Sequence, residues 1–264
     1  MYQHHFGLKY SPLGKETPAL WDDGTLEQLA QRFQWLLDSP GVGLLTGEAG
    51  VGKTAALRHL ARALNPHRYQ VVYLAETDFG RLDLYRHLAL ALGLEPVHRR
   101  AALWRDIKAR TLELADSKNV LVLWIIDEAQ NLPLEFFRDL PAFLNFAFDS
   151  RDLMTVWLVG HPKLAHTLDR APYAALASRI QVRLQLKPIT DRQRFRNLIE
   201  HALHQAGAQH TLLSDSAVEL LRQASQGLPR QAGRLLKTAM QLAVPKGLNH
   251  LPDELIQQAI EETK

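Results

Sequence analysis

Residues 47–54 read Gly47-Glu48-Ala49-Gly50-Val51-Gly52-Lys53-Thr54, with glycine, glycine, lysine and threonine at the four fixed positions of a G-x-x-x-x-G-K-T segment. An apolar run, Val42-Gly43-Leu44-Leu45, precedes it. Ala55, Ala56, Leu57, Leu60, Ala61 and Leu64 follow at helical spacing. A strand that turns through glycines straight into a helix aims several main-chain N–H groups, and the positive end of the helix dipole, at one point. That arrangement is an anion cradle and requires a strand–loop–helix fold around it. The main chain of residues 47–55 would line the phosphates of a nucleotide. Lys53 would add a point charge at the β- and γ-phosphates, and Thr54 would offer its hydroxyl to Mg²⁺.

Four more strand candidates follow the pattern of Val42–Leu45: Gln70–Ala75, Val120–Ile126, Met154–Val159 and Ile180–Leu186. The first four in the chain are nearly continuous apolar runs, as expected of central parallel strands covered on both faces. The last alternates: Ile180, Val182, Leu184 and Leu186 against Gln181, Arg183, Gln185 and Lys187. A period of two suits a half-exposed edge strand. Helical patterns separate the strands, so the fold class is α/β with a five-stranded parallel sheet. After Lys187-Pro188 no further strand run occurs. Thr190 or Asp191 caps a helix to about Ala206, and Ser214 caps one to about Ala224. Gly227-Leu228-Pro229 precedes a third helix ending near Ala243, and Pro252-Asp253-Glu254 opens a fourth with Pro at the first helical position. The expected organisation is an α/β nucleotide-binding domain over 1–188 and a small all-helical domain over 189–264.

The 264 residues are 46% hydrophobic and 22% charged, ordinary values for a globular chain that builds its own core. There is no cysteine, which excludes disulfides and thiolate metal sites and is compatible with a reducing cytoplasm. The histidines lack the close pairing a zinc site needs, so no structural metal is expected. The longest apolar run, Val120–Ile126, is far too short to span a bilayer, and a cytoplasmic protein without membrane contact is expected. A formal charge of +3 permits nucleic-acid binding without demanding it.

The second chemical signal is Val122-Leu123-Trp124-Ile125-Ile126-Asp127-Glu128, an apolar strand ending in adjacent carboxylates. At the carboxyl end of a parallel strand Asp127 would hold Mg²⁺ and Glu128 would activate the attacking water. Three further positions fit a nucleotide-hydrolysing site. His161 follows Met154–Val159 and Gly160 and would place a polar group between the water and the γ-phosphate. Arg179 precedes the edge strand, from where it would reach a neighbouring subunit's γ-phosphate. Arg230 opens a helix of the second domain and would report the nucleotide's state to it.

Taken together, Gly47–Thr54, Asp127-Glu128-Ala129-Gln130-Asn131-Leu132, Val159-Gly160-His161-Pro162 and Gly227-Leu228-Pro229-Arg230 resemble the ExeA/GspA-like branch of the AAA+ ATPases. The opening His5-Phe6-Gly7-Leu8-Lys9 with Ser11-Pro12-Leu13 resembles that branch's start, with Leu13 where a second aromatic is usual. The resemblance extends from Phe6 to Glu262. It implies a P-loop AAA+ fold with a helical lid, and Mg²⁺-dependent hydrolysis of ATP. It places Phe6, Gly7 and Leu8 near the adenine, His161 at sensor 1, Arg179 as the arginine finger, with Arg183 and Arg170 as competitors, and Arg230 at sensor 2.

Secretion-associated ExeA proteins carry a transmembrane helix and a peptidoglycan-binding region after the ATPase, and this chain ends at Lys264. What remains resembles the stand-alone helpers of DDE transposases, similar to MuB, TniB, IstB and TnsC. That resemblance implies a homo-oligomer, ring or helical filament, that assembles on double-stranded DNA with ATP, chooses targets and stimulates a DDE transposase. Candidate phosphate contacts are Arg99-Arg100 with Arg105, Lys108 and Arg110, and Arg192, Arg194 and Arg196. Trp104, at helical spacing from Leu103 and Ile107, reads as core. The alternative role is an ATP-driven switch or scaffold in a secretion-related or signalling assembly without DNA. A superfamily 2 helicase, prompted by Asp127-Glu128-Ala129-Gln130, would need two motor domains, for which the chain is too short.

Overall fold

The computed structural model describes residues 2–78 and 80–263. Their contacts divide into two units, one of residues 25–47 and 56–186 and another of residues 2–24, 48–55 and 187–263.

The first unit is built on a parallel sheet of β1 (Val42–Gly47), β2 (Tyr69–Leu74), β3 (Leu121–Ile126), β4 (Met154–Gly160) and β5 (Ile180–Leu186), in the order β2-β3-β4-β1-β5. All five expected strands are present. β1 and β4 are buried along their whole length, and β5 alternates at the edge as its sequence predicts. β2 departs from expectation. It is the opposite edge strand, and only Val72 and Leu74 are buried while Val71 and Tyr73 are exposed. An apolar run guarantees a strand, but whether both faces are covered depends on the strand's place in the sheet.

Alternation along the strands supplies two apolar faces. On one, Trp124 meets Tyr85, Phe136 and Phe143, and the Tyr85 and Phe143 rings lie 4.8 Å apart. Trp104 packs edge-on to Tyr85 at 5.3 Å and to Phe143 at 5.4 Å, which makes it part of the core packing. On the other face Phe33, in the helix Thr25–Asp38, stacks on Trp157 of β4 at 5.9 Å. Each such side chain contributes about 1.5–3 kcal/mol of burial. The register sets Thr46 opposite Gly160, Leu44 and Ile126 each opposite Leu158, and Leu74 opposite Ile126. The carboxyl ends of β1, β3 and β4 therefore share one edge of the sheet. The chain leaves the adjacent strands β1 and β4 in opposite directions, toward β2 and toward β5. Such a switch point opens a crevice at the carboxyl edge, where α/β sheets bind ligands.

The second unit contains the helices Arg192–Ala206, Asp215–Ser225, Pro229–Ala243 and Asp253–Glu262. Asp191 caps the first by accepting from the Arg194 N–H at 2.8 Å, and Ser214 caps the second by accepting from the Ala217 N–H at 3.0 Å. Pro252 stands one residue before the last helix, in extended conformation, rather than at its first position. The core joins Phe195, Ile199, Leu221, Leu236, Met240 and Ile256 with Tyr2, Phe6 and Leu8 from the chain's start. The expected division at residue 188 gave that opening segment to the α/β part, but its apolar side chains fill the helical core. The Lys9 N–H donates to the Ala206 carbonyl at 2.7 Å, and the Tyr10 hydroxyl donates to that of Gln205 at 2.6 Å.

Candidate nucleotide site

The loop after β1 carries two left-handed glycines, Gly50 at φ 86° and Gly52 at φ 113°, and enters the helix Lys53–Arg62 directly. The tight turn is what lets the first turn of that helix face the loop. A Cβ on Gly50 would lie 2.9 Å from Cβ of Arg230, and the Arg230 N–H donates to the Gly50 carbonyl at 3.2 Å. Lys53 is 6% exposed, and its Nζ donates to the Glu48 carbonyl at 3.2 Å. A buried ammonium over the loop suits a phosphate, because hydrogen bonds to an ionised oxygen are the strong ones.

At the end of β3 the Asp127 N–H extends the ladder to the Leu74 carbonyl at 2.8 Å. Asp127 is 4% exposed. Its Oδ1 accepts from the Glu128 N–H at 2.9 Å and its Oδ2 from the Tyr73 hydroxyl at 3.1 Å. Burial first, and then the charge of Asp127, push the Tyr73 phenol up to about 12, so it stays a donor at neutral pH. Glu128 itself is left-handed, at φ 51° and ψ 35°. A straight strand would send consecutive side chains to opposite faces, and this turn breaks the alternation right after Asp127. Such a backbone costs a non-glycine residue about 1–2 kcal/mol. Among the described residues three contacts hold it: the Glu128 N–H on Asp127, and the Thr77 hydroxyl and the Asn131 N–H donating to the Glu128 carbonyl at 3.1 and 3.0 Å.

The Glu128 carboxylate is exposed, and its Oε2 accepts from Nε2 of Gln130 at 2.6 Å. Oε1 of Gln130 accepts from the His161 N–H at 2.9 Å. The structure thus brings Asp127, Glu128 and the main chain of His161 together at one edge of the sheet, with Tyr73, Thr77 and Gln130 between them. Sequence reasoning missed those three as site residues. Gln130 stood inside the quoted acidic segment, and Tyr73 reads from sequence as one more apolar strand position.

The other candidates lie in varied settings. Arg179 donates to Asp149 and to the Ala175 carbonyl, each at 3.3 Å, and Arg183 pairs with Asp169 at 2.7 Å. Arg170 is exposed. The Arg230 side chain is exposed at the first turn of its helix. Phe6 and Leu8, expected near the adenine, are 4% and 7% exposed and serve the helical core, leaving Gly7 at φ 66° as the accessible part of that segment.

The basic clusters are largely neutralised. Arg100 pairs with Asp139, Arg105 with Asp106, Arg110 with Glu113, Arg192 with Glu219, Arg194 with Asp23, and Arg196 with Asp215. Lys108 donates to the Ala142 and Asn145 carbonyls at 3.1 and 2.7 Å, near the end of the helix Leu134–Phe143. Each pairing weakens the field a nucleic acid would meet. Among the described residues no helix is long and apolar enough to cross a membrane.

Residues 36–168 match the family described as "AAA domain". General secretion pathway protein A of Aeromonas hydrophila is 29% identical over 254 residues, covering 94% of this chain and 46% of that protein, so the chain spans less than half of this relative. The ADP form of the Aeropyrum pernix ORC2 protein superposes over 98% of this chain and 72% of its own, with TM-score 0.69 and 21% identity. The Aeropyrum pernix ORC1 protein in complex with DNA covers 98% and 69%, with TM-score 0.70 and 18% identity. A RuvB variant of Thermotoga maritima covers 92% and 69%, with TM-score 0.58 and 19% identity. With an α/β P-loop fold and a helical C-terminal part, this chain belongs to the AAA domain family and is an ATPase.

Proposed function

We propose that the chain is a Mg²⁺-dependent ATP switch that oligomerises on duplex DNA and assists a DDE transposase. Lys53 and the loop main chain hold the phosphates, Thr54 and Asp127 hold the metal, and Glu128 orients and deprotonates the attacking water. Bound Mg²⁺ would neutralise charge on the β- and γ-oxygens. Gly7 passes near the adenine, and His161 contributes from the end of β4. The observation that carries the hydrolytic reading is the anchored acid pair: Asp127 buried with both oxygens bonded, and Glu128 turned left-handed beside it with its carboxylate exposed.

The switch reading follows from the loop. Its crest is bonded through Gly50 to the main chain of Arg230, so a change at the phosphates reaches the helix Pro229–Ala243 without an intermediary. Arg230 would read the γ-phosphate, and Arg179, released from Asp149, would complete a neighbour's site. Relatives in fold supply the DNA reading, since an ORC1 structure holds DNA. Ion pairs on exposed carboxylates, such as those of Asp215 and Glu113, hold by only about 0–1 kcal/mol, so duplex phosphates can displace them.

A second reading has its own support: the Aeromonas relative is a secretion-pathway protein, and most of the clustered arginines, Arg100 and Arg196 among them, are already paired. There the same switch would act in a secretion-related or signalling assembly at the membrane or in the cytoplasm, without DNA. ATP turnover with and without duplex DNA, alongside electron microscopy in ATP, separates the two. DNA-stimulated turnover and ATP-dependent rings or filaments on DNA support the first. Equal turnover and no DNA-bound assembly support the second.

A further inference from the structure

Gln130 is held from both ends of its side-chain amide. Nε2 donates to Oε2 of Glu128 at 2.6 Å and Oε1 accepts from the main-chain N–H of His161 at 2.9 Å. The amide therefore joins the acid after β3 to the end of β4, two strands that are neighbours in the sheet. Gly160 provides an independent sign that this position is built for. A Cβ there would lie 2.4 Å from Oε1 of Gln130, and 3.1 Å from a Leu164 methyl. Only a residue without a side chain lets the amide reach His161.

We infer that Gln130 is a positioning residue for hydrolysis: it fixes the rotamer of Glu128 by holding Oε2, so that Oε1 is the oxygen offered to the water. The inference rests on the reading of Glu128 as the water-activating group. The main chain of Glu128 is already fixed by Asp127 and Thr77, which leaves the side-chain torsions as the remaining freedom. An exposed glutamate has several staggered rotamers, and the Gln130 amide selects one. Its second bond transmits the position of β4's end to the acid, since any shift of His161 moves the N–H donor that orients the amide. Oε1 of Glu128 has no partner among the described residues, which suits a group that must accept a proton from water.

Three variants test this, each compared with the native chain for steady-state turnover and for equilibrium binding of a fluorescent ATP analogue. Gln130→Met keeps the side chain's length and removes both hydrogen bonds. Gly160→Ala leaves Gln130 and Glu128 intact but forces the amide aside; the atom it meets is the end of a flexible side chain, so the fold tolerates it. Glu128→Gln is the reference background. The expected result is a fall in kcat of about 10- to 100-fold for Gln130→Met and for Gly160→Ala, the scale of a misplaced catalytic group. Binding of the analogue stays within about twofold in both. In the Glu128→Gln background Gln130→Met has no further effect, because residues acting as one unit are non-additive. Native kcat in Gln130→Met, or a loss that multiplies unchanged onto Glu128→Gln, overturns the inference. Should Gln130→Met fail to fold, native kcat in Gly160→Ala overturns it. If Glu128→Gln itself turns over at the native rate, the assignment of the base fails instead, a separate and distinguishable outcome.

Discussion

The main-chain N–H of Arg230 donates to the carbonyl of Gly50, 3.2 Å away, tying the crest of the phosphate loop to the first turn of the helix Pro229–Ala243. Gly50 is left-handed, and a Cβ there would sit 2.9 Å from that of Arg230. Gly50→Ala meets both obstacles. Backbone strain alone costs about 1–2 kcal/mol, so nucleotide affinity should fall about tenfold. Calorimetric titration with ADP measures it; native affinity would show that the loop is free of this contact when it binds.

Arg179 is held to Asp149 by a partly exposed pair, weak enough to release. As a finger acting in trans, its loss should lower turnover by about 10³–10⁵. Mixing Arg179→Ala with Glu128→Gln subunits should restore activity, since each supplies what the other lacks. Mixtures no more active than their parts would remove Arg179 from this role and leave Arg170 and Arg183 to be tried.

Legibility differed by type of signal. Helix ends carried by one capping residue, Asp191 and Ser214, were readable because the cap bonds locally. The five strands were readable from their apolar runs. Position within the sheet was not, which is why β2, an edge strand, reads like β3. Phe6 and Leu8 show the converse limit: sequence proximity to a motif does not say which core a side chain fills. The acids and the lysine were legible because their chemistry needs fixed types at fixed spacing. Tyr73, Thr77 and Gln130 were not, because each reaches the site through a strand register or a turn that only the folded chain displays. The arginine clusters looked basic in sequence because their carboxylate partners, Asp139, Asp23 and Asp215, are distant in it.

Tyr85 is fully buried among aromatic rings, its hydroxyl has no hydrogen-bond partner among the described residues, and burial drives its phenol upward. An unsatisfied buried hydroxyl costs about 1–3 kcal/mol. Tyr85→Phe should raise Tm by at least about 2 °C. A lower Tm would mean that the hydroxyl is bonded in solution.

Glu219 accepts from Arg222 at 2.6 and 2.9 Å and from Gln223 at 2.8 Å. The hydrogen bonds from Arg222 and then Gln223 hold its carboxyl down from 4.5 to about 2. A depressed folded value stabilises above the unfolded one, and that contribution disappears as pH falls from about 4.5 toward 2. Glu219→Gln should therefore lose stability at pH 7 and show a shallower decline over that acid range. Parallel acid-melting curves for the two proteins would contradict this.

Binding and turnover of ATP in magnesium buffer by the native chain and by Lys53→Ala bear most directly on the phosphate-loop site. Lys53 is buried over the loop, and a hydrogen bond from a charged group contributes about 1.5–3 kcal/mol. The native protein should bind and hydrolyse ATP, and the variant, with an unchanged melting profile, should lose at least about tenfold in affinity and nearly all turnover. A folded native chain with no affinity for adenine nucleotides, or a variant that hydrolyses ATP as fast as the native chain, would contradict the account.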